Sequence, residues 1–353
     1  MFYKLRNRFV VALTAMASCI VFTCMALGDP GSAEIIGDAH ARGFLLVKFT
    51  LPGNQEVERI ELQIKRPGDE YRIARPGIHR GRFGIGKTMS EEGQPVTTVW
   101  LPVIAEYDLT PRGFLFDRPG IYELRWSLYL DNATTAVEVE QPIPVASANE
   151  QDSRFLRHLG SEQFFRNLHP EFQFPEPVLQ KWSGNVGDLR ALILIQRLVE
   201  GIELFDPPVL FRTWKTPEQL LRAAQAFSLL AKEFPESTYA PYAAYYAGCA
   251  YSSLTAKKNR EEHGNLVSKA AIGSTDYRAA MEMLTLAQDL GGAFIGNRVE
   301  YQRTLLLCYA NQLDSATMLA NGAVAESDDS VLRVHVSKIR KEISGQKQKR
   351  AKD

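Results

Sequence analysis

The spacing of apolar residues changes once along this chain, and that change limits the folds the chain can adopt. Between about residues 35 and 145, apolar and polar side chains alternate, and Pro and Gly interrupt the pattern at intervals. The clearest run has apolar side chains at every second position: Tyr122, Leu124, Trp126, Leu128 and Leu130. A period of two is typical of a β-strand with one buried face. The first half is therefore predicted to be built from short strands.

In the second half, the apolar residues recur with the period of a helix. Leu189, Leu192 and Ile193 lie on one face of a first predicted helix. The stretch 216–219 combines a capping Thr, a Pro at the first helical position and a Gln at the third, which marks a helix start. The sequence predicts an α+β multidomain protein. An N-terminal β-sandwich at residues 32–147 is followed by a C-terminal all-α helical-hairpin repeat array at residues 188–343.

The composition is that of an ordinary soluble protein of two domains. The chain has 353 residues, long enough for two cores. Lys and Arg number 41, as do Asp and Glu, so the charge does not indicate a nucleic-acid partner. The six histidines are dispersed, without ligand-like spacing to one another or to cysteine. We expect no nucleic acid, no cofactor and no metal.

The first 28 residues have the pattern of an export signal. Lys4, Arg6 and Arg8 precede an uncharged stretch from Phe9 to Leu27, and small residues at 26 and 28 suit a signal peptidase. We therefore predict a signal peptide at residues 1–28. The mature protein is expected to be periplasmic or otherwise extracytoplasmic.

Two other fates of this leader remain open. Residues 16–19 resemble a degenerate lipobox, in which Cys19 would carry a lipid. The stretch from Phe9 to Leu27 has 19 residues, which is just long enough to span a bilayer if it is not cleaved. Either fate would tether the protein to a membrane.

A glycine-rich string in the first half matches the phosphate-binding loop pattern G-x-x-x-x-G-K-[ST]. It runs from Gly81 to Thr88. The pattern binds phosphate only where an apolar strand leads in and a helix begins at the Lys. Residues 75–80 make a poor buried strand, and Pro95 leaves too little chain for the helix. We expect a loop between strands and no nucleotide partner.

The turn before the clearest strand resembles a feature of immunoglobulin-like sandwiches. Asp117-Arg118-Pro119-Gly120 leads into Tyr122 near the start of that strand. The resemblance is to the tyrosine corner, in which the Tyr hydroxyl bonds back to the preceding turn. It implies an immunoglobulin-like β-sandwich.

Residues 148–187 and 344–353 belong to neither domain. The first stretch is rich in Phe and Leu and contains Pro170 to Pro177, so we predict a packed connector. The second stretch is predicted to be a basic disordered tail.

In the helical half, small and bulky residues recur at fixed spacings in three stretches, the first of which ends at a Pro: Ala223, Phe227, Leu230 and Pro235; Ala244, Ala247, Gly248 and Tyr251; Tyr277, Ala280, Leu284 and Ala287. This spacing resembles that of half-repeats in the tetratricopeptide (TPR) family, whose repeat is a pair of antiparallel helices packed through small residues. Residues 234–243 resemble the linker between repeats of bacterial periplasmic proteins, including those of outer-membrane assembly.

The resemblance implies a groove for a partner protein along the first helix of each repeat. Carried over by position, the groove would present these side chains: Tyr242, Tyr245, Ser252, Glu300 and Arg303. Exposed Tyr beside Arg is typical of strong contacts in protein interfaces. The alternative is that the tyrosines pack the helices against each other.

We expect a non-catalytic scaffold or adaptor that binds another protein through the TPR-like helices, not an enzyme. The alternative is an exported carbohydrate-binding or hydrolytic protein that uses the sandwich, with Trp100, Tyr107 and Trp126 as sugar-stacking candidates. Cys249 and Cys308 are interpreted as small buried residues within predicted helices, and a disulfide between them remains open.

Overall fold

The computed structural model describes most of the chain beyond residue 31. The described residues are 32–36, 38–55, 57–74, 84–89, 94–103, 113–130, 136–168, 173–174, 176–182, 184–203, 216–264, 268–291 and 293–326, with a few residues between 336 and 348. The predicted leader at 1–28, with Cys19, lies outside them. So does most of the predicted tail.

The first half forms two antiparallel sheets of four strands each, in the orders β1-β2-β6-β5 and β4-β3-β7-β8. The strands are β1 Ser32–Ile36, β2 Leu45–Pro52, β3 Val57–Lys65, β4 Tyr71–Ala74, β5 Gly84–Met89, β6 Pro95–Val103, β7 Gly120–Leu130 and β8 Val137–Val145. The pair Asp131-Asn132 between two alternating runs predicts a hairpin of the last two strands. This prediction is confirmed, since β7 pairs with β8 from Leu128 opposite Val137 to Gly120 opposite Val145.

Side chains from both sheets meet in one hydrophobic core. The alternation in β7 is confirmed, because Tyr122, Leu124, Trp126 and Leu128 are all fully buried. The Phe49 ring of β2 meets the Trp126 ring edge-on, with centroids 5.3 Å apart. The two sheets therefore face each other across a shared apolar layer.

Tyr122 also makes the predicted bond to the turn before its strand. Its hydroxyl lies 2.9 Å from the Arg118 carbonyl oxygen and 2.9 Å from Asp117 Oδ1. The Tyr122 ring packs edge-on against Phe116. This buried phenol fixes the path of the chain into β7.

The second half is helical, so the prediction of an α+β protein is confirmed. Its helices are α1 Glu150–Leu159, α2 Glu162–Leu168, α3 Glu176–Lys181, α4 Val186–Glu203, α5 Pro217–Glu233, α6 Ala240–His263, α7 Thr275–Leu290, α8 Ala293–Tyr309 and α9 Leu313–Glu326, with a 3₁₀ turn at Lys269–Gly273. The helix start at Thr216 is confirmed, because Thr216 and Gln219 form a reciprocal capping box.

Small residues let these helices approach closely. Helix α6 packs against α5 on one side and α7 on the other. Ala223, Gly248 and Ala280 are all buried, as the small-residue spacing predicts. A Cβ atom on Gly248 would lie 2.6 Å from Leu284 Cγ. The α6–α7 approach therefore depends on a residue without a side chain.

Two details of the helical half differ from the sequence interpretation. The polar, Gly-containing stretch from Lys257 to Ser274 predicts a surface loop within a repeat, but its first part continues α6 to His263. Asn259 explains the difference, since it is nearly buried and its Nδ2 donates to the Tyr309 carbonyl at 3.2 Å. Within the predicted disordered tail, Ser344 and Gly345 have helical backbone.

The predicted connector at 148–187 is part of the helical core. Phe155 and Leu159 of α1 and Phe164 of α2 lie in the same hydrophobic cluster as Phe227 of α5. The rings of Phe164 and Phe227 have centroids 6.0 Å apart. This stretch therefore belongs to the helical half, which begins directly after β8.

A buried carboxylate holds α1 against the turn that starts α6. Asp152 is fully buried. Its Oδ1 accepts from Ser237 Oγ at 2.7 Å and from the Thr238 backbone N at 2.8 Å. Its Oδ2 accepts from Thr238 Oγ1 at 3.0 Å. Asp152 thus satisfies the polar groups of the turn between α5 and α6.

The loop before β2 joins the two halves. The Tyr239 hydroxyl donates to the Arg42 carbonyl at 2.8 Å. The Phe44 ring contacts Tyr239 and meets Tyr242 edge-on, with centroids 5.8 and 4.9 Å away. Arg42 also pairs with Asp188 of α4 at 3.6 Å. The sheet half therefore packs against the start of α6.

Gly248→Ala is expected to lower the free energy of unfolding by about 1–3 kcal/mol, because the added Cβ would collide with buried Leu284. Urea unfolding followed by circular dichroism measures the change. Gly322→Ala in α9 is the matched control, since its Cβ would meet nothing within 4 Å. The control should be neutral or more stable. Equal effects of the two substitutions would contradict the close approach.

Asp152→Ala is expected to destabilise the protein by roughly 3 kcal/mol, because it leaves three buried or half-buried donors without an acceptor. Thermal unfolding measures the loss. Glu150→Ala, at an exposed position in the same helix, is the control and should change stability little. A loss no larger than that of the control would show that Asp152 does not hold the junction.

Candidate functional site

The predicted groove along α6 is filled in this structure. Tyr242, Tyr245 and Ser252 are at most 7% exposed. They were expected to face a partner protein, and instead they are covered. The predicted contact residues on α6 are thus used for internal packing, in agreement with the alternative that the tyrosines pack the helices.

Neighbouring elements cover these tyrosines. Phe44 lies over Tyr242, and α4 and α8 pack against α6. Tyr245 packs against the Tyr246 ring at a centroid distance of 6.4 Å. The predicted exposure of these tyrosines is wrong, because position in a repeat indicates which side of a helix faces the groove but not whether another element occupies that groove.

The two predicted groove residues of α8 are half-buried. Arg303 binds side chains of α7, donating to Gln288 Oε1 and, at 2.6 Å, to Thr285 Oγ1. Burial lowers the pKa of the Arg303 guanidinium. Arg303 therefore links α8 to α7, and the structure does not bring it together with Glu300 and the tyrosines on one open face.

An open cleft lies elsewhere, between α2 and α5. It has a volume of about 530 Å³ and is lined by His158, Ser161, Gln163, Phe164, Asn167, Arg222, Gln225, Ala226 and Leu229. Helix α1 contributes His158, whose ring contacts Phe164 and Phe234. The volume is within the usual range for ligand pockets.

The floor of the cleft is apolar and its rim is polar. Phe164 is buried and Ala226 is half-buried, whereas the Leu229 side chain is 48% exposed. Gln163, Asn167, Arg222 and Gln225 are exposed around them. An apolar centre surrounded by amide and guanidinium groups is the usual composition of a protein interface.

The sequence contains one signal for this cleft that the repeat comparison missed. The buried face of α5 carries these residues: Leu220, Ala223, Ala224, Phe227, Leu230 and Ala231. Leu229 is a large apolar residue outside that face. Single exposed apolar residues are common on protein surfaces, but Leu229 lies with Ala226 and Phe164 in the lining of the cleft, which makes it a candidate contact with a partner. The other wall, α2, comes from the connector, and its pairing with α5 has no periodic signal.

The remaining sequence candidates are placed as follows. Lys87 and Thr88 lie inside β5, which pairs with β6, and they do not begin a helix. Trp126 is buried in the sheet core, so it offers no face to a sugar. Tyr107 lies outside the described residues. Cys249 is buried and Cys308 is half-buried, and no disulfide joins the two.

In the part of the chain that the structure describes, no three His, Cys, Asp or Glu side chains are grouped so that they could hold an ion. Over the same residues, no helix combines the length and apolar character needed to cross a bilayer.

The buried tyrosines predict a response to alkaline pH. Burial raises the pKa of Tyr239, Tyr242 and Tyr245. Because the folded pKa lies above the unfolded value of about 10, the stability that they contribute is full below pH 10 and is lost as the pH rises further. Absorbance at 295 nm should show these phenols ionising together with the loss of helical circular dichroism. Their ionisation while helicity is retained would contradict the burial.

Comparison with known proteins gives no family. No protein-family model matches the sequence, and no curated protein matches it. Among solved structures, the chain is similar to Astrotactin-2, described as a conserved vertebrate-specific and perforin-like membrane protein involved in neuronal development. The identity is 8% and the TM-score 0.22, and the match covers 76% of this chain and 38% of that chain. At this TM-score the likeness supports no conclusion about fold or function.

Proposed function

We propose that this protein is a non-catalytic adaptor that binds another protein through its helical half. The cleft between α2 and α5 is the binding site in this proposal. The observation that carries it is the exposed Leu229 side chain on the apolar floor, surrounded by exposed amide and guanidinium groups.

The packing of the helical half supports this role. Both walls of the cleft are attached to one core, because Phe164 of α2 and Phe227 of α5 are buried in the same cluster. A surface on such a frame loses little conformational freedom when a partner binds. The helices are proposed to form TPR-like repeats, and the two sheets an immunoglobulin-like sandwich that serves as a second contact surface.

The place of action is proposed to be outside the cytoplasm, in the periplasm of a bacterial envelope. The basic n-region and the uncharged stretch to Leu27 support export. The sequence of the turn between α5 and α6 supports the same compartment through its resemblance to linkers of periplasmic repeat proteins.

A photo-crosslinker placed at Gln225 in intact cells tests the adaptor role. Gln225 is exposed and lines the cleft, so the reagent should form one discrete adduct with a partner protein. Leu229→Arg in the same chain should remove that adduct, because it puts a charge on the apolar floor.

The control position is Met318, which is exposed on α9, a helix that contributes no residue to the described lining of the cleft. A crosslinker there should give no adduct with that partner. An adduct that survives Leu229→Arg, or that forms equally from position 318, would place the contact outside the cleft and reject the proposal.

A further inference from the structure

We propose that residues 338–352, here called the basic segment, bind a membrane surface through the phosphate groups of anionic lipids. This surface lies at the end of the helical half and is separate from the α2–α5 cleft. The inference therefore goes beyond the adaptor function and does not depend on it.

The charge of the chain is unevenly distributed. Lys and Arg number 41 in the whole chain, as do Asp and Glu. The basic segment has one carboxylate, Glu342, against seven cations: Lys338, Arg340, Lys341, Lys347, Lys349, Arg350 and Lys352. A block of like charges of this size is often an interaction tail.

The structure attaches this segment to the helical half by one face. Every described residue between 336 and 348 has helical backbone. Val336 is fully buried in a cluster with residues of α9. The residues that stay exposed are Ser337, Lys341, Ser344, Gly345 and Gln348. The segment therefore leaves a polar face in solvent.

That polar face has the donors that a phosphate group needs. An open depression of about 370 Å³ is lined by Ser337, Arg340, Lys341, Ser344, Gly345 and Gln348. Guanidinium, ammonium, hydroxyl and amide groups all donate to phosphate oxygens. Arg340 donates to the side-chain oxygen of Asn321 in α9. Because that amide is uncharged, the bond does not neutralise Arg340.

Neighbouring carboxylates do not balance the segment. Those that precede it are in α9 and just after it: Asp314, Glu326, Asp328 and Asp329. A helix from Val336 to Gln348 is about 18 Å long, so carboxylates at its start are screened from its far end at a Debye length of about 10 Å. Counting Asp314 and Asp353 with Glu342 still leaves seven cations against three carboxylates.

The chemistry of the segment favours a lipid surface over other anionic partners. It contains no aromatic residue, which a single-stranded nucleic acid would use for stacking. Its described exposed residues include no large apolar side chain that could anchor a protein interface. Charge alone suits mobile headgroups, to which each nearby Lys or Arg adds about fivefold in affinity. The export pattern at residues 1–28 also favours lipid over nucleic acid.

Vesicle co-sedimentation with the full chain tests the proposal. One set of vesicles is phosphatidylcholine, and the other has equal parts of phosphatidylcholine and phosphatidylglycerol. The chain should bind the anionic vesicles at least about a hundredfold more tightly, and added salt should weaken this binding. Equal binding to the two kinds of vesicle would overturn the proposal.

A matched pair of variants locates the contact. One variant changes Lys341, Lys347, Lys349 and Lys352 to Gln, and it should bind anionic vesicles at least about tenfold more weakly. The control changes four exposed cations elsewhere to Gln, and its binding should be nearly unchanged: Arg157, Lys232, Lys269 and Arg278. Both variants keep the leader and lose the same charge, and circular dichroism checks that both fold. Equal losses would indicate attraction by overall charge and reject the segment.

Soluble anions distinguish a lipid surface from other sources of phosphate. Inorganic phosphate and a short DNA duplex are added to the anionic vesicles, each at the ionic strength of a chloride control. Binding that stays at the level of the chloride control supports the lipid surface. Release by inorganic phosphate would assign the segment to free phosphate. Release by the duplex would assign it to nucleic acid, and either result would overturn the proposal.

Discussion

The carboxylate of Asp152 is the contact on which the arrangement of the helical half depends. It is fully buried and accepts three hydrogen bonds from Ser237 and Thr238. Without an acceptor, the turn between α5 and α6 would bury unsatisfied donors. The same carboxylate belongs to α1, which leads from β8 into α2. Asp152 therefore holds α1 against the turn that begins α6, while the contact of Phe164 with Phe227 packs α2 against α5.

This junction also decides which aromatic residues are available to a partner. Tyr239 and Tyr242 follow the turn that Asp152 holds, and Phe44 of the sheet half packs on both. Residues with the composition of an interface are thus used inside the molecule. Leu229 is among the apolar residues that stay exposed, and it lies in the cleft between α2 and α5. The tyrosines stabilise the helical half, and the cleft is the contact surface in the proposed function.

Much of the fold follows from local spacing. The alternation around Trp126 predicts a strand with one buried face, and every second residue there is buried. The Thr216 and Gln219 pair predicts a capping box, and the structure has one. Gly248 and Ala280 predict a close helix approach, and both are buried. In each case the signal is short-range, because it depends on the period or the cap of one element.

The sequence by itself determined the division into a sheet half and a helical half, the apolar face of each element and the places where helices approach closely. Only the tertiary structure decided which of those faces stays open. In that structure Tyr242 and Tyr245 are buried, and Arg303 donates a hydrogen bond to α7. Helices α2 and α5 lie side by side with an open cleft at Leu229. The physical reason is the distance along the chain over which each signal acts. Periodicity specifies which side of a helix is apolar, whereas exposure depends on neighbours such as Phe44 and Asp152, which are distant along the chain and have no spacing that points to their contacts.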